Sequence, residues 1–481
     1  VKNALTLGSS LVATWAVALV VRFFLPRHLG PEQFGVFNFA DAFAATFFVV
    51  LGLGLETYIR KEIPVRPEHA SDFFGGFLAA RVLMSLGVFA AMALVLTLAH
   101  RPPSVQRIVF VFGAAQFLVV LNGNLAALLH ASRAVGGLAL VNVASKVLWG
   151  AGVAVAIVLH AGLVGLALAF LGSEALRSAA LLRLVRRQIG LQLRLDWKAI
   201  RAVTVACFPF YVIQVANTVY AGIAVTLLSL LASDVEVGWY GTSSNLAGLA
   251  FLLSPLVSWV LMPLLARAAS RSKEELYATL RRAILTIVPI VMPISLLMGA
   301  GADLWVPGLF GGSYEPATLS LRLLAPVFIV TYLAMMTATC LLLVDRAWTV
   351  TFVSIAGLIV NPVLVLAFVP RAIASFGDGG AGAGAAAALL LTELLVTAAL
   401  MTSLGKVVFD RPTLSSLGKA ALGYVAMIAL DRALAPLGPV RLLFVTLTYV
   451  AFLLAVGSVK VAEIRTMARF VMLQRQAHAH T

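Results

Sequence analysis

Charged residues interrupt the long apolar runs of this chain at Arg22, Asp41, Arg81, Lys146, Glu174, Arg177, Arg322 and Glu393. In an otherwise apolar chain these are the side chains able to do chemistry. A charge at the centre of a bilayer costs about 2.5–3.5 kcal/mol, so each needs a partner or water. Arg22 and Asp41 lie on neighbouring runs and are placed to pair. Glu174 and Arg177 stand at i, i+3 on one helix and neutralise each other. Arg22 and Arg322 lie near the ends of their runs, where a long side chain reaches the interface. Arg81 and Lys146 differ. Each sits about eight residues into its run, about 12 Å deep at 1.5 Å per residue, with no acid within a turn. Lys146 shares a helix face with Asn142 and Trp149. An unpaired cation at that depth points to an anionic ligand, with Arg81, Lys146, Arg22 and Arg322 as its candidate contacts. Asp41 and Glu393 are the acids left to carry a coupling ion.

The elements that position these residues follow from composition. The chain has 481 residues, of which 61% are hydrophobic and 11% charged. A soluble domain carries about 25% charged residues, so the solvent here is lipid. The apolar runs are helix-length for a bilayer, and alternating strands of barrel type are absent. The pattern predicts an all-α polytopic membrane protein with about fourteen spans between residues 3 and 460. The weakest spans are the thirteenth, 420–436, which carries Asp431 and Arg432, and the twelfth, 381–404, which opens on the run GDGGAGAGAAAALL.

The net charge is +15. With both termini inside, the inner segments outweigh the outer ones in Lys and Arg by roughly four to one. That bias explains the charge without nucleic acid. It predicts a membrane protein with cytoplasmic N- and C-termini. The outer loops are short; the longest, 302–317, leaves no room for a catalytic domain. No Walker-A pattern, metal-ligand spacing or disulfide framework is readable, so no cofactor and no enzymatic activity are expected.

A polar phrase occurs twice. LPRHLGPEQFGVFNFADAF (25–43) and LLASDVEVGWYGTSSNL (230–246) each place a small residue, an acid, a glycine and an aromatic in the same order. Pairing Glu32 with Asp234, and Gly35 with Gly238, predicts two tight outer turns in a parallel repeat of six spans. The lobes become 1–200, including a cytoplasmic linker, and 201–404, followed by two further helices and a cytoplasmic tail, 405–481.

LGPEQFGVFNFA (29–40) resembles a phrase of the bacterial polysaccharide transport family, flippases of the multidrug/oligosaccharidyl-lipid/polysaccharide exporter superfamily. LGLGLETYIRKEI (51–63) is similar to the end of that family's second helix, with Arg60 and Glu62. RLDWKAIRAVTVACFPFYV with Pro209 resembles the start of its seventh helix. VGWYGTSSNL and LMPLLARAASRSKEELYATLRR with Pro263 resemble its eighth helix and the loop after it. RLLAPVFIVTYLAMMTATCLLLVDRAW resembles the tenth. The resemblance covers spans 1–10; later spans agree by hydropathy alone.

The resemblance implies a flippase for undecaprenyl-diphosphate-linked oligosaccharide repeat units. Its partners would be that glycan lipid, membrane lipid, a polysaccharide polymerase and glycosyltransferases, in O-antigen or exopolysaccharide synthesis. The anionic ligand is then a diphosphate. Asn122, Asn124, Tyr211, Gln214, Asn217 and Tyr220 would contact the glycan, tyrosine stacking on sugars and amides bonding hydroxyls. These residue types equally join helices to one another, and the sequence leaves both readings open. A lipid II flippase and a cation-coupled multidrug exporter share the fold. The exporter calls for an acid-dominated pocket, against the basic bias of the deep charges.

Overall fold

The computed structural model describes residues 2–56, 72–132, 135–189, 222–253 and 261–457, with isolated positions 59, 207, 211, 215 and 218. Every described element is helical. Among the described residues, ten helices are long and apolar enough to cross a membrane. The chain is thus a multi-pass, all-α membrane protein, as the composition requires. A backbone in lipid must satisfy its own hydrogen bonds. The chain divides into two compact units, 1–230 and 231–481. The expected lobe boundary at 200/201 lies outside the described residues.

The first unit contains α1 (Lys2–Phe48), α2 (Asp72–Leu98), α3 (Pro103–Ala131), α4 (Val135–Val158), α5 (Gly162–Ile189) and the short α6 (Gly222–Leu231). Helix α1 is broken at Gly30, where φ is 74° and ψ 169°. Such dihedrals suit glycine, and Pro31 follows at a helix start, where its missing N–H costs nothing. The turn in the first polar phrase is therefore at Gly30; Gly35 and Gly238 both lie inside helices. Helices α1, α3, α4 and α5 pack together. Val21 and Leu25 meet Val153, Ala156 and Leu166 at one level. Leu125 and Leu129 meet Leu138, Leu181 and Val185 at another. At Gly222, α6 comes so close to α1 that a Cβ would crowd Thr46 and lie 3.3 Å from the Ala42 carbonyl oxygen. Arg101 donates to the Ser229 carbonyl and lies 4.8 Å over the Phe39 ring.

The second unit contains α7 (Asp234–Ala247), α8 (Met262–Arg271), α9 (Lys273–Ala300), α10 (Ala302–Phe310), α11 (Ala317–Leu324), α12 (Val327–Leu343), α13 (Ala347–Phe376), α14 (Gly380–Leu404), α15 (Arg411–Ala433) and α16 (Val440–Ala455). The segment expected as a loop, 302–317, is largely helical, with α10 followed by a 3₁₀ turn. The predicted thirteenth span corresponds to α15, which begins at Arg411 with Asp410 as its N-cap. Its Asp431 is balanced by Arg441 of α16 at 2.9 Å. Arg441 also meets Asp303 at 2.5 Å.

The second polar phrase has a distinct structural use. Ser233 caps α7, and Glu236 reaches the start of α14. Its carboxylate accepts from Gly379 N at 2.7 Å and Gly382 N at 3.3 Å. An acid there satisfies orphan donors and opposes the helix dipole. The acid that caps α14 is Glu236, two residues beyond the Asp234 that the repeat pairs with Glu32.

The Gly/Ala run at the start of α14 serves close packing. A Cβ at Gly384 would lie 2.8 Å from Val369 Cα and 2.9 Å from the Phe368 carbonyl oxygen. Backbone cannot retreat as a flexible side chain can. Gly384→Val is expected to force α13 and α14 apart and lower both yield and melting temperature. A tolerated Gly384→Val, by fluorescence-detected size exclusion and thermal melting, would refute this packing argument.

Candidate functional site

The polar residues of the first unit gather where α1, α3, α4 and α5 meet. They interrupt otherwise apolar helices, and their bonds reach their own or a neighbouring helix. Glu174 and Arg177 of α5 pair at 3.3 Å, as their spacing predicts. Arg177 also donates to Asn142 Oδ1 of α4 at 3.0 Å. Asn122 of α3 donates to the Glu174 carboxylate at 2.8 Å and its carbonyl at 3.1 Å, and accepts from Ser178 at 2.7 Å. Asn122 is fully buried, and it ties α3 to α5.

Lys146 is half-buried on α4. Its ammonium lies 5.2 Å from the Trp149 ring centroid, a cation–π contact. Glu174, Arg177, Arg22 and Asp41 are close enough to act on it electrostatically, yet it forms no ion pair with any described residue. Asp41 accepts from Gln116 at 3.0 Å. Arg22 interacts with Asp41 only at longer range, so the direct pair expected between them is replaced by a hydrogen bond from α3. The cluster contains three cations, Arg22, Lys146 and Arg177, and two carboxylates, Asp41 and Glu174.

Arg81 sits elsewhere in the same unit. It is 3% exposed, and its guanidinium donates to the Leu51 carbonyl at 2.8 Å and the Gly52 carbonyl at 3.3 Å. Those carbonyls belong to a 3₁₀ turn, Val49–Gly52, that ends with Leu53 and Gly54 at φ of 51° and 67°. The break leaves backbone acceptors without helix partners, and Arg81 supplies the donors. The Asn124 amide, oriented with its oxygen toward Arg81, accepts from the same guanidinium. Glu56 also lies within electrostatic range. An acid is thus near both deep cations, but it comes from another segment of the chain.

Tyr211 is half-buried. Gln214, Asn217 and Tyr220 lie outside the described residues. In the second unit Arg322 stands 3.6 Å from Asp303. Glu393 is buried and accepts from Thr331 at 3.1 Å. Asn361 donates to Thr392 at 3.3 Å, while its Oδ1 is buried without a hydrogen-bond partner. Among the described residues no cluster of three or more His, Cys, Asp or Glu side chains could hold a metal ion.

The two units carry these polar positions in one register. Asn361 and Glu393 are separated in sequence just as Asn142 and Glu174 are. In the same register Ser173 matches Thr392, Ser178 matches Thr397, and Trp149 matches Phe368. The turn between the paired helices also matches: His160 at φ 51° stands where Gly379 stands at φ 80°. The correspondence breaks at Ser145, answered by Leu364, and at both cations of α4 and α5. Lys146 and Arg177 are answered by Val365 and Val396. The signal was present in the sequence, but the register could be read only from the helix ends.

Solved structures share this fold. An inward-facing multidrug resistance MATE family transporter of the MOP superfamily aligns with a TM-score of 0.61 and 16% identity, over 83% of this chain and 99% of that one. The lipid II flippase MurJ, in an inward closed conformation, aligns with a TM-score of 0.61 and 11% identity, over 91% and 98%. The Vibrio cholerae MATE transporter VcmN, in its bent form, gives 0.50 and 15%, over 82% and 99%. At such identities the likeness shows the fold alone. No match was found among curated proteins. The family model described as polysaccharide biosynthesis protein matches residues 1–269, more than half of the chain, and the protein belongs to that family.

Proposed function

We propose that this protein is a flippase that moves undecaprenyl-diphosphate-linked oligosaccharide units across the bacterial inner membrane by alternating access. The observation that carries the reading is the cationic cluster of the first unit, centred on Lys146. An ammonium in an apolar helix, with no ion pair among the described residues, is stabilised by an anionic cargo. The family match to polysaccharide biosynthesis supports a glycan cargo, and a lipid diphosphate joins the two. A drug exporter for cations is disfavoured by the same excess of positive charge.

In this reading the chain has fourteen spans with both termini cytoplasmic, arranged as two six-helix lobes and two further helices. Lys146 and Arg22 meet the diphosphate. Arg81 and Arg322 contribute to the cationic environment while holding the 3₁₀ turn and Asp303 respectively. Tyr211, Gln214, Asn217 and Tyr220 face the glycan. Asn122 and Asn124 face it only where they are not engaged by Glu174 and Arg81. Asp41 and Glu393 are the acids available to a coupling ion. No covalent step is required of any residue.

The test is rescue. The gene is expressed in a bacterium lacking its own polysaccharide-unit flippase, together with glycosyltransferases that build a lipid-linked repeat unit. The expected result is loss of inner-leaflet accumulation of the lipid-linked unit and return of surface polymer. Continued accumulation, with the protein present in the membrane, would remove this reading.

A further inference from the structure

We infer that Arg177, which looks neutralised by Glu174, is a phosphoryl-binding residue, and that Glu174 is its competitor for the ligand. The inference rests on the flippase reading and names the part of the site that reads the diphosphate.

Two observations support it. First, the guanidinium is only partly used. It donates to Glu174 and to Asn142, but its Nε is buried without a hydrogen-bond partner. A guanidinium presents its donors as a fixed fork suited to phosphoryl oxygens, and an unmet donor in an apolar wall is costly. Lys146 lies within electrostatic reach of the same group. A phosphoryl group between them would answer both cations. Second, the matching register of the second unit shows what the frame requires without them. Asn361 and Glu393 keep the places of Asn142 and Glu174, while Val365 and Val396 replace the cations. That unit folds with a buried carboxylate satisfied partly by Thr331. Arg177 and Lys146 are additions to the first unit, and the Asn361 oxygen is left without the donor that Arg177 gives to Asn142.

A structural ion pair and a binding site predict opposite behaviour for Glu174. In a structural pair, neutralising either partner harms the protein alike. In a binding site, neutralising the acid frees the cation.

Purified protein in detergent is titrated with farnesyl diphosphate, with farnesol and inorganic pyrophosphate as competitors. Arg177→Gln is expected to weaken farnesyl diphosphate binding about tenfold or more, the scale of a charge-assisted hydrogen bond. Glu174→Gln keeps an oxygen for Asn122 and is expected to tighten binding several-fold. The double variant, which leaves no unpaired buried charge, should fold like the parent and bind as weakly as Arg177→Gln. Pyrophosphate should compete and farnesol should not. Equal losses in Glu174→Gln and Arg177→Gln, an unchanged affinity in the double variant, or competition by farnesol alone would overturn the assignment while leaving the flippase reading intact. Wild-type protein with no affinity for farnesyl diphosphate would overturn both.

Discussion

Lys146→Ala is expected to cut delivery of the lipid-linked unit to the outer leaflet about thirtyfold or more, the cost of removing a charge partner from a desolvated anion, with membrane protein level unchanged. The level should hold because Lys146 supports little of the fold. It forms no ion pair with any described residue, and its one aromatic contact, at 5.2 Å from Trp149, contributes on the order of 0.5–1 kcal/mol. Arg81→Ala should behave differently. It would strip donors from the Leu51 and Gly52 carbonyls, and each buried unsatisfied acceptor costs about 1–3 kcal/mol. Its loss should appear in folded protein before it appears in transport per molecule. Asp41→Asn retains an oxygen for Gln116 and should do less harm than either. The assay is accumulation of the lipid-linked unit on the inner leaflet of a flippase-deficient host, divided by membrane protein. If Lys146→Ala and Arg22→Ala both flip at the parental rate, the diphosphate does not bind at this cluster.

The fold class was legible because a bilayer permits few solutions. An 11% share of charged residues dictates lipid as solvent, and lipid dictates helices. The deep charges could likewise be located by counting along the runs. Their partners could not, because those partners lie on other helices. Gln116 is 75 residues from Asp41, and Asn142 is 35 from Arg177. A sequence window finds Glu174 beside Arg177 because both lie on one helix turn, and so it makes the pair look complete. It sees nothing near Arg81, because the acceptors there are carbonyls exposed only once the helix breaks after Phe48. The repeated polar phrase showed a related limit. The acids at Glu32 and Asp234 drew attention by alignment, whereas the acid that caps α14 is Glu236, whose partners at Gly379 and Gly382 lie more than a hundred positions away. Positions such as Gly384, where two backbones nearly touch, gave a compositional signal that translated directly into packing.

In the flippase reading, collapse of the membrane potential is expected to slow net flipping strongly, and the sign of the proposed site then calls for no second gradient. A lipid diphosphate carries about two negative charges, and each charge crossing 100 mV is worth about 2.3 kcal/mol. With the inside negative, outward delivery is favoured by about 4.6 kcal/mol per 100 mV, about three orders of magnitude in the equilibrium. The protein determines how that energy divides between the half-cycles. Arg22, Lys146 and Arg177 against ionised Asp41 and Glu174 leave one net positive charge. Loaded, the site is net negative and its outward switch is downhill; empty, it is net positive and its inward return is downhill as well. If Asp41 is protonated, the loaded site is neutral and the whole drive moves to the return step, with the total unchanged. The measurement uses proteoliposomes holding a fluorescent isoprenoid diphosphate, with a potassium diffusion potential set by valinomycin. Transport should rise when the compartment that the substrate leaves is negative and fall toward zero when the polarity is reversed. Lys146→Gln, which makes the empty site neutral under the first charge assignment, should slow the return step and leave single-turnover release less affected than multiple-turnover flux. Equal rates at both polarities would show that the diphosphate crosses with its charge compensated, and the site would then need a co-transported cation, for which Asp41 is the nearest acid.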